Sequence, residues 1–386
     1  MFIIVNISRT VELHVGAQDI GQGSNTTLAI ICAETLGVKV EDIKVHSGDT
    51  DHCPADLGAW GSRQTLMAGN AVKMAAEDAK KQLLEFAYAQ SGFNIVYDLD
   101  IKNRWVHAIA RPERGYDYAE LVRKATRGKD GQRIVGRGYY TPHRKGMISP
   151  AYSYMLQGVE LEVDRETGKI KIVDSLTAHD CGQPINHLGL IGQLEGAFSM
   201  AAGYGYLEYM PYEDGKLMNP NLVDYKVIRS TEMPEVPVAE IDTYEPEGPY
   251  GAKEAGEGLT NPTAAAIGNA IFHALGVQMK ECPIRPEMIV NALKEKETKV
   301  RNKEVAHEEP VKCPVCGKKA KTGSAIDCAR HMFGVGDKPH RAWVEAQGLS
   351  FIDLLIEQAT TPGNQSYVTL AQFIEKAQGG QAETKS

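Results

Sequence analysis

The chain has 386 residues, 42% hydrophobic and 24% charged, with 50 acidic against 42 basic side chains and a net charge of −8. At roughly 150 residues per domain this length suggests two or three domains, and the composition excludes a chain disordered throughout. The negative balance argues against the whole chain binding a polyanion, and no apolar run reaches the roughly 18 residues a membrane span needs.

Residues 1–9 show no basic stretch ahead of an apolar one, so no secretory signal is read. Seven cysteines, an odd number without framework spacing over the first 300 residues, fit a reducing cytoplasm better than a disulfide scaffold. Residues 10–16 alternate as a strand does, a glycine turn follows, and 24–36 reads as a helix. Residues 43–46 read as a second strand and 65–90 as a long helix. A hairpin is expected from 157–163 and 169–174 around the turn Asp164-Arg165-Glu166-Thr167-Gly168. Residues 189–203 read as a helix. Thr260 or Asn261 can cap another, with Pro262 at its first position, Gly276 at its end, and Ile267, Ala270, Ile271, Ala274 and Leu275 on one face. Interleaved strands and helices predict a mixed α/β (α+β) region running to about residue 296. Residues 297–310 are charged and nearly free of large apolar groups, as in a linker. Residues 311–345 carry a cysteine and histidine cluster, with a helix expected over 324–333. Residues 346–386 form a tail with short amphipathic helices at 350–359 and 367–377 and a frayed end from 380.

Three glycine-bearing loops each feed a predicted helix: 19–24, with Gly21, Gln22 and Gly23; 58–64, with Gly61, Ser62, Arg63 and Gln64; and 248–258, with Gly256 and Glu257. Helix N-termini present unpaired N–H groups that suit phosphates, and glycine lets a ligand approach the backbone. Taken singly, each loop is equally an ordinary turn before a helix, Glu257 a solvated carboxylate at a helix start, and Arg63 half of a surface ion pair.

The longer strings carry a resemblance. Gly21-Gln22-Gly23 with Thr26, Thr27 and 33–37, then Asp49-Thr50 through Gly61-Ser62-Arg63 to Gly69-Asn70, then Asp180-Cys181-Gly182-Gln183-Pro184-Ile185-Asn186 with 192–196, then Gly251-Ala252-Lys253-Glu254-Ala255-Gly256-Glu257, resemble the molybdopterin-binding region of the xanthine oxidase (molybdenum hydroxylase) family, in its order. The likeness covers about 10–296. Segments 57–67 and 247–254 look most like 4-hydroxybenzoyl-CoA reductase. The resemblance implies molybdenum on molybdopterin, in its cytosine dinucleotide form, with Glu257 as the general base and Glu254 as its local rival. It places Gln22 and Gln193 near the pterin and the metal's oxo ligand, and runs 61–64 close to the cofactor. Asp180 and Asn186 are read as structural. It further implies an aromatic or N-heterocyclic substrate, and FAD and 2Fe–2S clusters on partner subunits, since no four-cysteine set for such a cluster is present. The family's large subunit is far longer, so a partner supplying its N-terminal half is expected, and the chain alone should be inactive.

Cys313-Pro314-Val315-Cys316-Gly317 reads as a knuckle. With His331 and His340 it resembles a C2H2-type zinc finger with a long gap between histidines. Cys328, three residues before His331, competes as the fourth ligand. Residues 311–341 hold seven Lys and Arg against two Asp, which permits nucleic acid or an acidic protein, with protein docking favoured. A non-catalytic protein whose finger does the binding is therefore the alternative function.

Overall fold

The computed structural model describes residues 1–91, 98–128, 131–142, 151–308, 311–361, 363 and 365–382. It divides into two compact units, Met1–Val290 and Asn291–Ser386.

The first unit opens with β1 (Phe2–Val5) and β2 (Val11–Val15), an antiparallel pair closed where Asn6 N donates to Thr10 O at 2.9 Å. Helix α1 (Ser24–Leu36) crosses to β3 (Ile43–Ser47), which lies parallel to β2 as a helical crossover allows. After α2 (Gln64–Ser91) come β4 (Leu99–Lys102), β5 (Trp105–Ala108) and β6 (Arg111–Asp117), a separate antiparallel sheet. Asp117 caps α3 (Tyr118–Arg127), and β7 (Val135–Arg137) completes the first sheet in the order β3-β2-β1-β7. Alternation sends Ile3, Val5, Val11, Leu13 and Val15 to one face, where they bury against Leu28, Ile31 and Leu36 of α1 and Val72, Ala75 and Leu83 of α2. Alanines on α2 admit β7 closely: a Cβ at Gly136 would stand 2.0 Å from Ala75 O.

The second sheet is ordered β12-β9-β8, from β8 (Tyr154–Val163), β9 (Ile170–Asp180) and β12 (Val238–Glu240), the last parallel to β9. The expected turn joins β8 and β9, with Asp164 Oδ1 accepting the N–H groups of Glu166 and Thr167. Between β9 and β12 lie α4 (His187–Ala202) and the short pair β10 (Tyr212–Glu213) and β11 (Lys216–Leu217). Helix α5 (Thr263–Leu275) packs on β8. It buries Ile267, Ile271 and Leu275 as expected, while Ala274 is exposed. Pro262 stands just ahead of the helix rather than in it.

Residues 297–310, read as a linker, belong instead to α6 (Pro286–Glu308) as far as Glu308; 309 and 310 lie outside the described residues. Lysine and glutamate are good helix formers, and Glu295 and Lys299 pair at 3.9 Å one turn apart, so a segment without a core can still be helical. The remaining helices of the second unit are α7 (Ala325–Val335), α8 (Lys338–Ala346), α9 (Phe351–Thr360) and α10 (Gln365–Ala382). Helix α8 was not expected. The segments 311–345 and 346–386 share one core: Cys328, Met332 and Val344 pack with Phe351, Leu370 and Ile374. The expected frayed end, from 380, is helical to Ala382, and 383–386 lie outside the described residues.

Candidate molybdenum cofactor site

The loop after β2 is organised by its own polar groups. Asp19 Oδ1 accepts the N–H groups of Gly21 (3.0 Å) and Gly23 (3.4 Å), and its Oδ2 accepts that of Asn25 (3.0 Å). Partial burial works against that carboxylate, but the three N–H donors prevail and hold it below its usual range. These amides, expected to be free for an anion, are thus occupied from within. Gln22 is held at the cavity by the same loop, its Oε1 accepting Ile20 N at 2.7 Å. Its Nε2 donates to Gln64 Oε1 (2.5 Å) and Gln18 O (3.2 Å), and Gln64 Nε2 donates to the same carbonyl (2.8 Å). Gly21 and Gly23 have positive φ, and nothing stands where a Cβ on either would reach.

In the second loop Gly61 and Ser62 take left-handed φ of 64° and 54° in succession. Arg63 turns inward, donating to Gly58 O (3.1 Å) and pairing with Asp56 (3.4 Å), with its guanidinium 5.8 Å from the Trp60 ring centre. It stabilises its own loop, as a half-buried pair.

The third loop is pinned at two places. Lys253 and Asp180, both buried, pair at 2.6 Å; Lys253 Nζ also donates to Tyr152 O (2.9 Å), and Thr243 and Gly182 N donate to Asp180. Burial pushes the Asp180 acid upward, but Lys253, Thr243 and the Gly182 N–H outweigh it and hold it below the usual range. Glu254 is engaged too: Oε1 accepts from Ser153, and Oε2 accepts Gly256 N at 2.8 Å. Glu257 differs. Its N–H donates to Ser62 Oγ (2.7 Å), while its carboxylate is exposed and has no partner among the described residues. A Cβ at Gly256 would lie 2.6 Å from Ser62 Oγ, so glycine permits this approach.

Gln22, Gln64 and Gln193 line one cavity of about 110 Å³, with Cys181, Asn186 and Lys253. Gln193 reaches it from α4, whose N-terminus Asn186 caps by accepting Gly189 N at 3.1 Å. The structure thus brings together the expected glutamines, and joins Ser62 to Gly256 and Glu257 a residue or two along the chain from the lining. It does not turn the Arg63 side chain there. Lys253 and Cys181 were not singled out, although the matched strings contain them.

In the second unit, Cys313 Sγ lies 3.4 Å from His340 Nε2 and Cys316 Sγ 3.1 Å from His331 Nε2, and the four ligand atoms fall within 4.8 Å of one another. His331 lowers the Cys316 thiol to about 6. Cys328 is buried in the core, and that burial, with Cys313 beside it, pushes its thiol up to about 12. Asp337 Oδ1 lies 2.5 Å from His340 Nδ1, which leaves Nε2 for a metal.

Two loops that bring Gln22 and Gln64 to one cavity, a glycine-carried glutamate and this mixed fold are the features of a cofactor-binding domain. Residues 2–234 match the molybdopterin cofactor-binding domain, and the chain belongs to that family. It is similar to the putative xanthine dehydrogenase molybdenum-binding subunit XdhA of Escherichia coli (strain K12), 33% identical over 304 residues, which are 74% of this chain and 38% of that one. The gamma subunit of the 6-hydroxypseudooxynicotine dehydrogenase complex of Paenarthrobacter nicotinovorans is 31% identical over 300 residues, 74% of this chain and 36% of its own. Among solved structures, quinoline 2-oxidoreductase from Pseudomonas putida 86 superposes with a TM-score of 0.70 at 25% identity, over 76% of this chain and 38% of that one. The chain therefore spans under two-fifths of these relatives. Among the described residues no helix is long and apolar enough to cross a membrane.

Proposed function

We propose that this chain binds the molybdenum cofactor in an oxidoreductase acting on an aromatic or N-heterocyclic substrate, in concert with a partner polypeptide that supplies the rest of the large subunit. The observation that carries this reading is the convergence of Gln22, Gln64 and Gln193 on one cavity, beside a loop in which Ser62 Oγ accepts the Glu257 backbone N–H and leaves the Glu257 carboxylate exposed. The residues fit the cofactor: side-chain amides donate to phosphate or oxo oxygens and accept from pterin N–H groups, and Gly21, Gly23 and Gly61 leave space for it. When bound, molybdenum supplies the two-electron redox chemistry. The chain's own part is to orient the pterin through the three amides and to move a proton at the Glu257 carboxylate.

Quinoline and xanthine, in the names of relatives, support an N-heterocyclic substrate; segments 57–67 and 247–254 keep reductive dehydroxylation of an aromatic acyl-CoA as the variant chemistry. The cytosine dinucleotide form of the cofactor, and FAD and 2Fe–2S clusters on partner subunits, complete the proposed assembly in a cytoplasmic setting. Cys313, Cys316, His331 and His340 are proposed to hold zinc, since two thiolates and two imidazoles at this spacing suit its tetrahedral geometry.

The test is co-expression with neighbouring reading frames, followed by purification and analysis for molybdenum, iron and zinc. Molybdenum is expected only where this chain copurifies with a second polypeptide. Turnover by this chain alone would overturn the need for a partner, and an assembled complex without molybdenum would overturn the cofactor assignment.

A further inference from the structure

The sheet face opposite the main core of the first unit carries a second cluster. Alternation along β2 buries Val11, Leu13 and Val15 and puts Glu12 and His14 on the other side. Strand β3 runs parallel to β2 with His46 paired to His14, so three donor side chains come from two adjacent strands on one face. The two imidazoles stack with centroids 4.6 Å apart, and Phe2 of β1 stacks on His14 at 4.4 Å. Both ring nitrogens of His14 and Nε2 of His46 are shielded from solvent and have no hydrogen-bond partner among the described residues. Glu12 Oε2 is 3.6 Å from His14 Nε2, beyond hydrogen-bond length, and its other oxygen accepts Asn6 Nδ2 at 3.2 Å. One donor atom from each of Glu12, His14 and His46 lies within 4.8 Å of the other two.

Buried polar groups without partners are uncommon, and each calls for an occupant. We propose that Glu12, His14 and His46 bind a divalent transition-metal ion of the zinc or nickel type. Imidazole nitrogens suit these metals, and two histidines with one carboxylate are a sufficient protein donor set when solvent completes the shell. The ion would satisfy the unpartnered nitrogens. It would also tie β2 to β3 immediately before the two loops these strands feed, one bearing Gln22 and the other Ser62. None of the three residues belongs to the strings that resemble the molybdenum hydroxylases.

The test is the zinc stoichiometry of the chelator-stripped full chain by calorimetric titration, with melting temperature recorded alongside. His14→Phe keeps an aromatic ring in the stack and removes both nitrogens. It is expected to lower the stoichiometry by one ion per chain and to abolish one zinc-dependent rise in melting temperature. The same loss is expected when Cys313 is already serine, which separates this site from the cysteine cluster. Should His14→Phe fail to fold, Glu12→Gln at the half-exposed position gives the same readout. Unchanged stoichiometry in the folded variant, with or without the Cys313 change, overturns the proposal.

Discussion

Ser62 Oγ accepts the backbone N–H of Glu257 at 2.7 Å, joining two loops 195 residues apart. The bond requires Ser62 at a φ of 54° and no side chain at Gly256. Ser62→Ala should cost about 0.5–1.5 kcal/mol, the net worth of one hydrogen bond. Gly256→Ala should cost more, because its Cβ must displace Ser62 Oγ. Adding Ser62→Gly to Gly256→Ala should recover part of that loss, since glycine removes the obstruction and tolerates the positive φ. Urea unfolding of the wild type, Ser62→Gly, Gly256→Ala and the double variant closes the cycle; additive losses would show that the two positions do not meet.

A comparison of these loops with the helices shows what the sequence makes legible. Helix α1 is bracketed by Gly23 and Gly37, and the β8–β9 hairpin by its Asp164–Gly168 turn, so local chemistry marks both. Strand β1 has only the four residues Phe2–Val5 and depends on β7 near residue 136, a pairing no local pattern reveals. Helix α8 buries only His340 and Val344, too few for a periodic signal. At the site, Gln22 and Gln193 were recognisable through longer strings. The occupation of the loop amides by Asp19, and the inward turn of Arg63, depend on three-dimensional closure.

The Lys253–Asp180 pair sets a pH dependence. The Asp180 acid is held below its unfolded value, so its contribution is fully present above about pH 4, the ordinary aspartate range, and is lost as pH falls through the lower native value. Asp180→Asn should flatten that limb of the stability–pH profile. It should also cost about 3–5 kcal/mol at neutral pH, because Lys253 is left buried without its counter-ion. Lys253→Met combined with Asp180→Asn should be less destabilising than the sum of the single changes. A neutral-pH loss below about 1 kcal/mol in Asp180→Asn would contradict the pairing.

Removal of the proposed zinc ion tests the second unit. The cluster sits against the core formed by Cys328, Met332 and Phe351, so chelation should loosen α7 to α10 together, because metal binding in a small unit is folding energy. Cys313→Ser should lose the ion. Cys328→Ser should keep it and destabilise only through core packing. Loss of zinc in a folded Cys328→Ser protein would move that cysteine into the ligand set.

Glu257 and Glu254 provide the sharpest contrast, because the same carboxylate chemistry sits three residues apart in different surroundings. Glu254 is bound to Ser153 and to the Gly256 N–H, so Glu254→Gln should weaken the loop and lower thermal stability. The Glu257 carboxylate has no partner among the described residues, so Glu257→Gln should leave stability and molybdenum content near wild type. Its effect should fall on turnover. Glutamine keeps the shape and cannot accept the proton, and general-base catalysis contributes roughly 10²–10⁴-fold. The assembled complex with its partner is the material for both measurements: steady-state rate against molybdenum content for Glu257→Gln, and melting temperature for Glu254→Gln. Glu254→Gln can lower activity as well, by displacing Gly256, but that loss should track the loss of stability. A fully molybdenum-loaded Glu257→Gln enzyme turning over at the wild-type rate would remove Glu257 from the chemistry and leave it a solvated carboxylate at the start of a helical turn.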